Sequence, residues 1–565
     1  MREPTHDSGD ALQRVQAYHA LSKHTLHRSA PGPGYMDWET QPDPFRTFAG
    51  APRMALPLMA DAVASNHDAL YRPVGSRPAV PLDERGVGAL LELSLGLAAW
   101  KAYMEVWWAL RCNPSSGNLH PTEGYLALPS HVAADWPGGV YHYVSRDHRL
   151  ERRWQPAAAT LAGWNQGFAP GTFLLGLSSI HWREAWKYGL RAYRYCQLDV
   201  GHAAAAVRYA AASLGWQARV LGGVADGDLA RLLTLDRQGA FPDDTETDGP
   251  EREHPDLLMQ IRTLPLQTES VPVAQLAGQV AVGPWLGQAN RLSPRHAHAW
   301  PEIERVAQAT WKPADAGEEG GVMTPYPPLS LSAPDLPAAR LIRQRRSAQR
   351  YDGRTFLAKA GFFRLLDSCL PRPGSSPWDL LDGPPRLHLF LMVHRVTDLT
   401  PGLYALVRRA EALPMLQRAL QGRFLWQPVA GAPDHLPLYC LSHGDLRAVA
   451  QQLSCQQEIA ADGVFSLGMV GEFEAALARG PWAYRQLFWE AGMLGQVLYL
   501  EAEAAGIRGT GIGCYFDDTF HQLLGVQGTH LQSMYHFTVG GPLADNRLQS
   551  RPPYDHLQGR KRGQW

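Results

Sequence analysis

The segments Ala192-Tyr193-Arg194 … Asp199-Val200-Gly201 … Leu214-Gly215-Trp216 … Asp226 … Leu232-Leu233 and Ala483-Tyr484-Arg485 … Glu490-Ala491-Gly492 … Ala505-Gly506-Ile507 … Asp517 … Leu523-Leu524 align without a gap, every position of the second lying 291 residues after its counterpart in the first. Each copy reads in the same order. A long small-residue helix (Asp199–Leu214; Glu490–Ala505) meets a glycine stop, then a strand-like run, then a short acid-capped helix ending in Leu-Leu. Two copies imply a fused pair of domains, not a solenoid.

Outward from the repeat, the junction falls near Ala314–Pro337. A Gly317-Glu318-Glu319-Gly320-Gly321 run is followed there by Pro325, Pro327, Pro328, Pro334 and Pro337, which continue neither a helix nor a central strand. The expected division is 1–313, a linker at 314–337, and 338–565. Strand-like runs at Gly124–Leu128, Thr172–Leu177, His388–Val393 and Met534–Val539 place strands among helices in both halves. The fold class expected is α+β, a mostly antiparallel central sheet in each half with surrounding helices, paired as an intrachain pseudo-dimer. Fusion frees the two halves of a symmetric dimer to diverge, so one interface site can persist while its twin decays.

Composition narrows the function. The 565 residues carry a formal net charge of −1, which gives no field for nucleic acid or an anionic membrane. The basic run Arg560-Lys561-Arg562 reads as a solvated tail. The polar first ten residues argue against a signal peptide. Gly88–Leu110, apolar but carrying Glu92, Lys101 and Glu105, reads as a buried amphipathic helix rather than a bilayer span. The six cysteines form no CxxC, so no disulfide scaffold or zinc site is expected, and a reducing cytoplasm fits. His181, His202, His296 and His298 form no recognised ligand pattern and read as hydrogen-bonded or surface histidines.

The stretch Arg111-Cys112-Asn113-Pro114-Ser115-Ser116-Gly117-Asn118-Leu119-His120-Pro121-Thr122-Glu123 sets small hydroxyls, an amide and a glycine in one turn-forming run. It resembles the flavin-facing loop of nitroreductase-like flavoproteins. Arg345-Arg346-Ser347-Ala348-Gln349-Arg350-Tyr351 is similar to the opening of that family, in which Arg and Ser hold the FMN phosphate; Gln349 departs from the usual Arg or Lys. Gly509-Thr510-Gly511-Ile512-Gly513 … Phe516-Asp517-Asp518 … Leu523-Leu524-Gly525 resembles its glycine element, and Gly540-Gly541-Pro542 with Arg547 adds a second phosphate candidate.

The first half is similar to a narrower group, the SagB-type dehydrogenases of thiazole/oxazole peptide biosynthesis. Tyr18–His24, Met36-Asp37-Trp38, Pro42–Arg46, Pro114–Glu123 and Glu184–Tyr195 with Asp199, Gly201 and His202 carry the likeness. It implies Lys187 and Tyr188 as catalytic residues. It also implies one FMN between the halves, with its phosphate on Arg345, Ser347 and Arg547 and its ring against Pro114, Ser115, Ser116, Asn118, Gly511 and Gly513. The implied reaction is hydride transfer at flavin N5 in the dehydrogenation of an azoline in a modified peptide, alongside a cyclodehydratase partner. An NAD(P)H-dependent nitro or quinone reductase, and a non-catalytic scaffold that has kept the fold, stay open as alternatives.

Overall fold

The computed structural model describes residues 8–557, apart from 131, 133–135, 243–249, 264–270, 315, 318–325, 331–335 and 421–422. Glu318–Gly321, Pro325 and Pro334 of the junction, and the Arg560–Arg562 tail, lie outside the described residues.

Each half is built on a seven-stranded sheet. In the first, the order is Arg53–Ala55, Arg149–Trp154, Gly139–Val144, Thr122–Leu128, Thr172–Ser179, His254–Arg262, Gln217–Val220, every pairing antiparallel. In the second it is Gln427–Pro428, Leu438–His443, Gly402–Leu406, Leu387–Val393, Phe465–Glu472, Leu531–Gly540, Arg508–Ile512, again antiparallel throughout. The four strand-like runs read from the sequence fall in interior strands of these sheets, which are buried along their whole length.

The repeat becomes a local twofold. Its helices are Ala192–Ser213 and Ala483–Ala504, each beginning at the Ala-Tyr-Arg and stopped by a left-handed glycine, Gly215 (φ +73°) and Gly506 (φ +74°). The two helices meet backbone to backbone. A Cβ on Gly201 would lie 2.2 Å from the Trp489 carbonyl oxygen, and one on Gly492 2.2 Å from that of Leu198. Leu198 and Trp489 are themselves repeat partners, so this is one contact made twice, and only glycine permits it. A second reciprocal pair flanks it: Arg194 bonds Asp517 at 2.7 Å and Arg485 bonds Asp226 at 2.5 Å, all four buried. One apolar core runs through both halves.

Three readings of the sequence are corrected. Asp226 and Asp517 are not helix caps; the capping positions are Ala225 and Phe516, without side-chain cap bonds, and the two acids reach across to the other half's arginine. Gly88–Leu110 is not one helix. The helix Glu84–Ser94 ends with Leu95 N and Gly96 N both donating to Leu91 O, and the aromatic remainder pairs as the hairpin Leu97–Tyr103/Val106–Arg111. Trp, Tyr and Val suit a pleated surface as well as a helix, and Gly96 decides between them. Cys455 and Cys514 form a disulfide, because the fold brings together residues 59 apart in the chain, which spacing rules do not see. No described helix is long and apolar enough to cross a membrane.

Candidate functional site

A cavity of about 1080 Å³ opens between the halves. The structure brings Pro114, Ser115, Ser116, Asn118, Lys187 and Tyr188 from the first half to its wall, and Arg345, Ser347, Gly511 and Gly513 from the second.

The loop after the hairpin is held in an unusual backbone shape. Gly117, Asn118 and His120 all have positive φ (58°, 60° and 53°). Local bonds hold them there: Asn118 Nδ2 donates to Ala109 O (2.8 Å), and His120 N donates to Ser115 Oγ (2.8 Å). Ser116 donates through both N (3.1 Å) and Oγ (3.1 Å) to Asp199 on the long helix. Burial pushes the Asp199 carboxyl up to about 7, against these hydrogen bonds.

Lys187 and Tyr188 end the helix His181–Tyr188, which stops at Gly189 (φ +55°). Both side chains lie over the loop. A Cβ on Gly117 would sit 2.5 Å from Tyr188 Oη and 3.2 Å from Lys187 Nζ, so glycine is required for them to approach. Burial, then the nearby Glu184, keeps Tyr188 a neutral phenol, its pKa raised well above the usual value. Tyr188 packs edge-on against Tyr195 (4.8 Å), and a Cβ on Gly513 would meet the Tyr195 ring at 2.5 Å. Glu184 is buried with both oxygens free of hydrogen bonds, and burial and Asp199 raise its pKa strongly. Lys187 makes no salt bridge among the described residues.

The other end is cationic. Arg345 is buried over the Tyr499 ring (5.0 Å), with Nε lacking a hydrogen-bond partner. Tyr499 Oη ties the two family-like elements of the second half together, pairing with Ser347 Oγ (2.8 Å) and accepting from Gly511 N (3.0 Å). Lys101, Arg346 and Arg508 share this end of the wall. Burial, then Arg345, pushes Arg346 down to about 10. Neither Arg345 nor Arg346 has a carboxylate partner among the described residues. A cluster of guanidiniums that repel one another suits an anionic group such as a phosphate.

Arg547 is not brought to the wall. The turn Asp545-Asn546-Arg547 folds its guanidinium back onto Asp545 (2.7 Å) beneath the Tyr103 ring, with the side chain 72% exposed. Lys101 and Arg508, from separate strands, stand in the cationic end instead. They and Tyr499 were missed because no local motif contains them. Asp199 and His202 were visible as members of a motif, without a role.

The Nitroreductase family model matches residues 100–241, which lie within the first half. A Methanocaldococcus jannaschii protein named as a nitroreductase is 27% identical over 159 residues, 27% of this chain and 76% of the relative. McbC, the microcin B17-processing protein of Escherichia coli, is 28% identical over 136 residues, which are 23% of this chain and half of McbC. The crystal structure of a protein from Anabaena variabilis, described as a nitroreductase, superposes on 94% of this chain and 99% of its own, with a TM-score of 0.66 at 21% identity. The whole chain therefore has the tandem nitroreductase-like fold.

Proposed function

We propose that this chain is an FMN-dependent oxidoreductase that binds one cofactor between its halves and oxidises an azoline of a modified peptide to an azole. The observation that carries the reading is the Lys187–Tyr188 pair packed over Gly117 inside a cavity built from both halves. The similarity to McbC supports the peptide substrate, and a cyclodehydratase is the class of partner that would supply it.

The residues fit the cofactor. The buried, unpaired Nε of Arg345, with Arg346, Ser347, Lys101 and Arg508, makes an end suited to the phosphate. The Pro114–Asn118 loop and the Gly511–Gly513 backbone make a wall suited to a flat polar ring. Held there, FMN would supply two-electron hydride chemistry. The chain supplies the proton handling. Lys187 Nζ, as the free amine, would take the proton from the substrate carbon, and the Tyr188 phenol would donate a hydrogen bond that orients the substrate.

Visible absorption of the purified protein, with flavin released and quantified after denaturation, tests the reading. One FMN per chain, lost turnover in Lys187→Ala and retained flavin in that variant are expected. Steady NAD(P)H oxidation with a nitro or quinone acceptor, unaffected by Lys187→Ala, would replace the peptide reading with the reductase one. No flavin after reconstitution with excess FMN would leave a scaffold.

A further inference from the structure

His181, His254 and Glu304 converge from three elements: the first residue of the helix His181–Tyr188, the first residue of the strand His254–Arg262, and the helix Pro301–Ala309. One donor atom from each lies within 4.8 Å of the other two. His254 Nε2 is 3.2 Å from Glu304 Oε2, and His181 Nδ1 is 3.9 Å from Glu304 Oε1. The imidazoles stack at 4.4 Å with their planes 21° apart.

Hydrogen bonding leaves this cluster unfinished. His181 is buried, and neither of its ring nitrogens has a hydrogen-bond partner; His254 Nδ1 has none either. A buried polar ring normally finds partners, since a donor or acceptor left unmade has lost its water with nothing in return. The Glu304 side chain is 25% exposed, which gives an ion a route in and a face for water.

We propose that His181, His254 and Glu304 bind a zinc-class divalent cation that pins the base of the Lys187–Tyr188 helix to the sheet and to the helix Pro301–Ala309. Two nitrogens and one carboxylate suit zinc, whereas magnesium and calcium favour all-oxygen sites. With three protein donors, water completes the shell. Lys187 and Tyr188 lie at the other end of the same two-turn helix, so the ion would fix the position of that helix without touching substrate.

The test uses the full-length chain. ZnCl₂ is titrated calorimetrically into chelator-treated protein, and retained zinc is measured by mass spectrometry after dialysis, for wild type, Glu304→Gln and His254→Gln. The expected result is one tightly held zinc in wild type, a rise in Tm on adding zinc, and loss of both in the two variants. Cobalt substitution should give visible ligand-field bands without a thiolate charge-transfer band, separating this site from a cysteine site. Should a variant misfold by circular dichroism, the wild-type cobalt spectrum decides. No zinc binding by wild type, equal binding by folded variants, or a thiolate band would each overturn the proposal.

Discussion

The local twofold gives the molecule two equivalent places, and they have opposite contents. One is the cavity of about 1080 Å³. At the other, Val220 and Gly222 stand where Gly511 and Gly513 stand in the first, with Gln486, Glu490 and Met493 in place of Tyr195, Asp199 and His202. There only about 90 Å³ remains. Arg408 fills the space, paired with Glu490, donating to Cys369 O (2.7 Å) and Leu387 O (3.1 Å), and stacked on Trp378 (4.7 Å). The second half's Ser-rich loop, Pro373-Gly374-Ser375-Ser376-Pro377, is tied into the packing instead, with Ser375 Oγ donating to Tyr71 O. In the filled place Arg408 and Glu490 neutralise one another. In the open one Arg345, Arg346, Lys187 and Glu184 have no salt-bridge partner among the described residues, the state expected of groups that meet a ligand.

The comparison breaks most readily at Lys187. If the open place is catalytic, Lys187→Ala lowers turnover by about 10²–10⁴-fold with flavin content unchanged. Loss of flavin instead would make Lys187 part of the binding wall, and full turnover would move the chemistry elsewhere.

The reciprocal ion pairs come next, because the two places differ there as well. Asp517 bonds both Arg191 (3.0 Å) and Arg194 (2.7 Å), and these guanidiniums overcome burial to hold its carboxyl well below the usual range. Asp226 has one guanidinium partner, Arg485, and accepts from Lys312 N (2.8 Å), and burial pushes it up to about 6. Asp517→Asn leaves two buried guanidiniums without their carboxylate and should cost about 3–5 kcal/mol in denaturant unfolding, more than Asp226→Asn. The pH dependence has opposite signs. Asp517, with its folded value depressed, stabilises above the unfolded-state value of about 3.9, and that stability is lost as pH falls below it. Asp226, with its folded value raised, works against stability as pH rises through about 6. Equal losses in the two variants across pH 4–8 would make the twofold electrostatically symmetric after all.

A smaller effect separates the arginines. Arg345→Ala should weaken FMN binding by about 2 kcal/mol, roughly thirtyfold, as expected for losing hydrogen bonds to a charged group. Arg547→Ala should leave the dissociation constant unchanged by fluorescence titration, because its guanidinium is already satisfied by Asp545. The reverse ranking would restore the phosphate role that the sequence resemblance implied for Arg547.

What the sequence disclosed has a physical pattern. Features set by the local chain were legible: the glycine stops Gly215 and Gly506, the buried apolar strands and the register of the repeat. Gly201 and Gly492 were visible as shared positions, but their reason, a carbonyl of the opposite helix 2.2 Å from an added Cβ, exists only once the halves pack. Groups recruited from outside the quoted motifs were invisible, which is why Tyr499 on the helix Ala483–Ala504 and Lys101 and Arg508 on strands were missed and Arg547 was over-read. The Cys455–Cys514 bond and the hairpin after Gly96 failed to show for a related cause: residue type alone left two outcomes open, and tertiary packing chose.

The finest comparison uses one atom. At Gly222, in the filled place, an added Cβ meets nothing within 4 Å, so Gly222→Ala should change stability by no more than about 0.5 kcal/mol. At its repeat partner Gly513, the same methyl would lie 2.5 Å from the Tyr195 ring. Tyr195 packs on Tyr188, so it has to move or strain the strand end, at a cost of about 1–3 kcal/mol. Gly513→Ala should therefore lower both Tm and turnover, while Gly222→Ala leaves both in place. Had the two places decayed to the same degree, the two methyls would be tolerated alike. A silent Gly513→Ala would mean that the open place is held no more tightly than its twin.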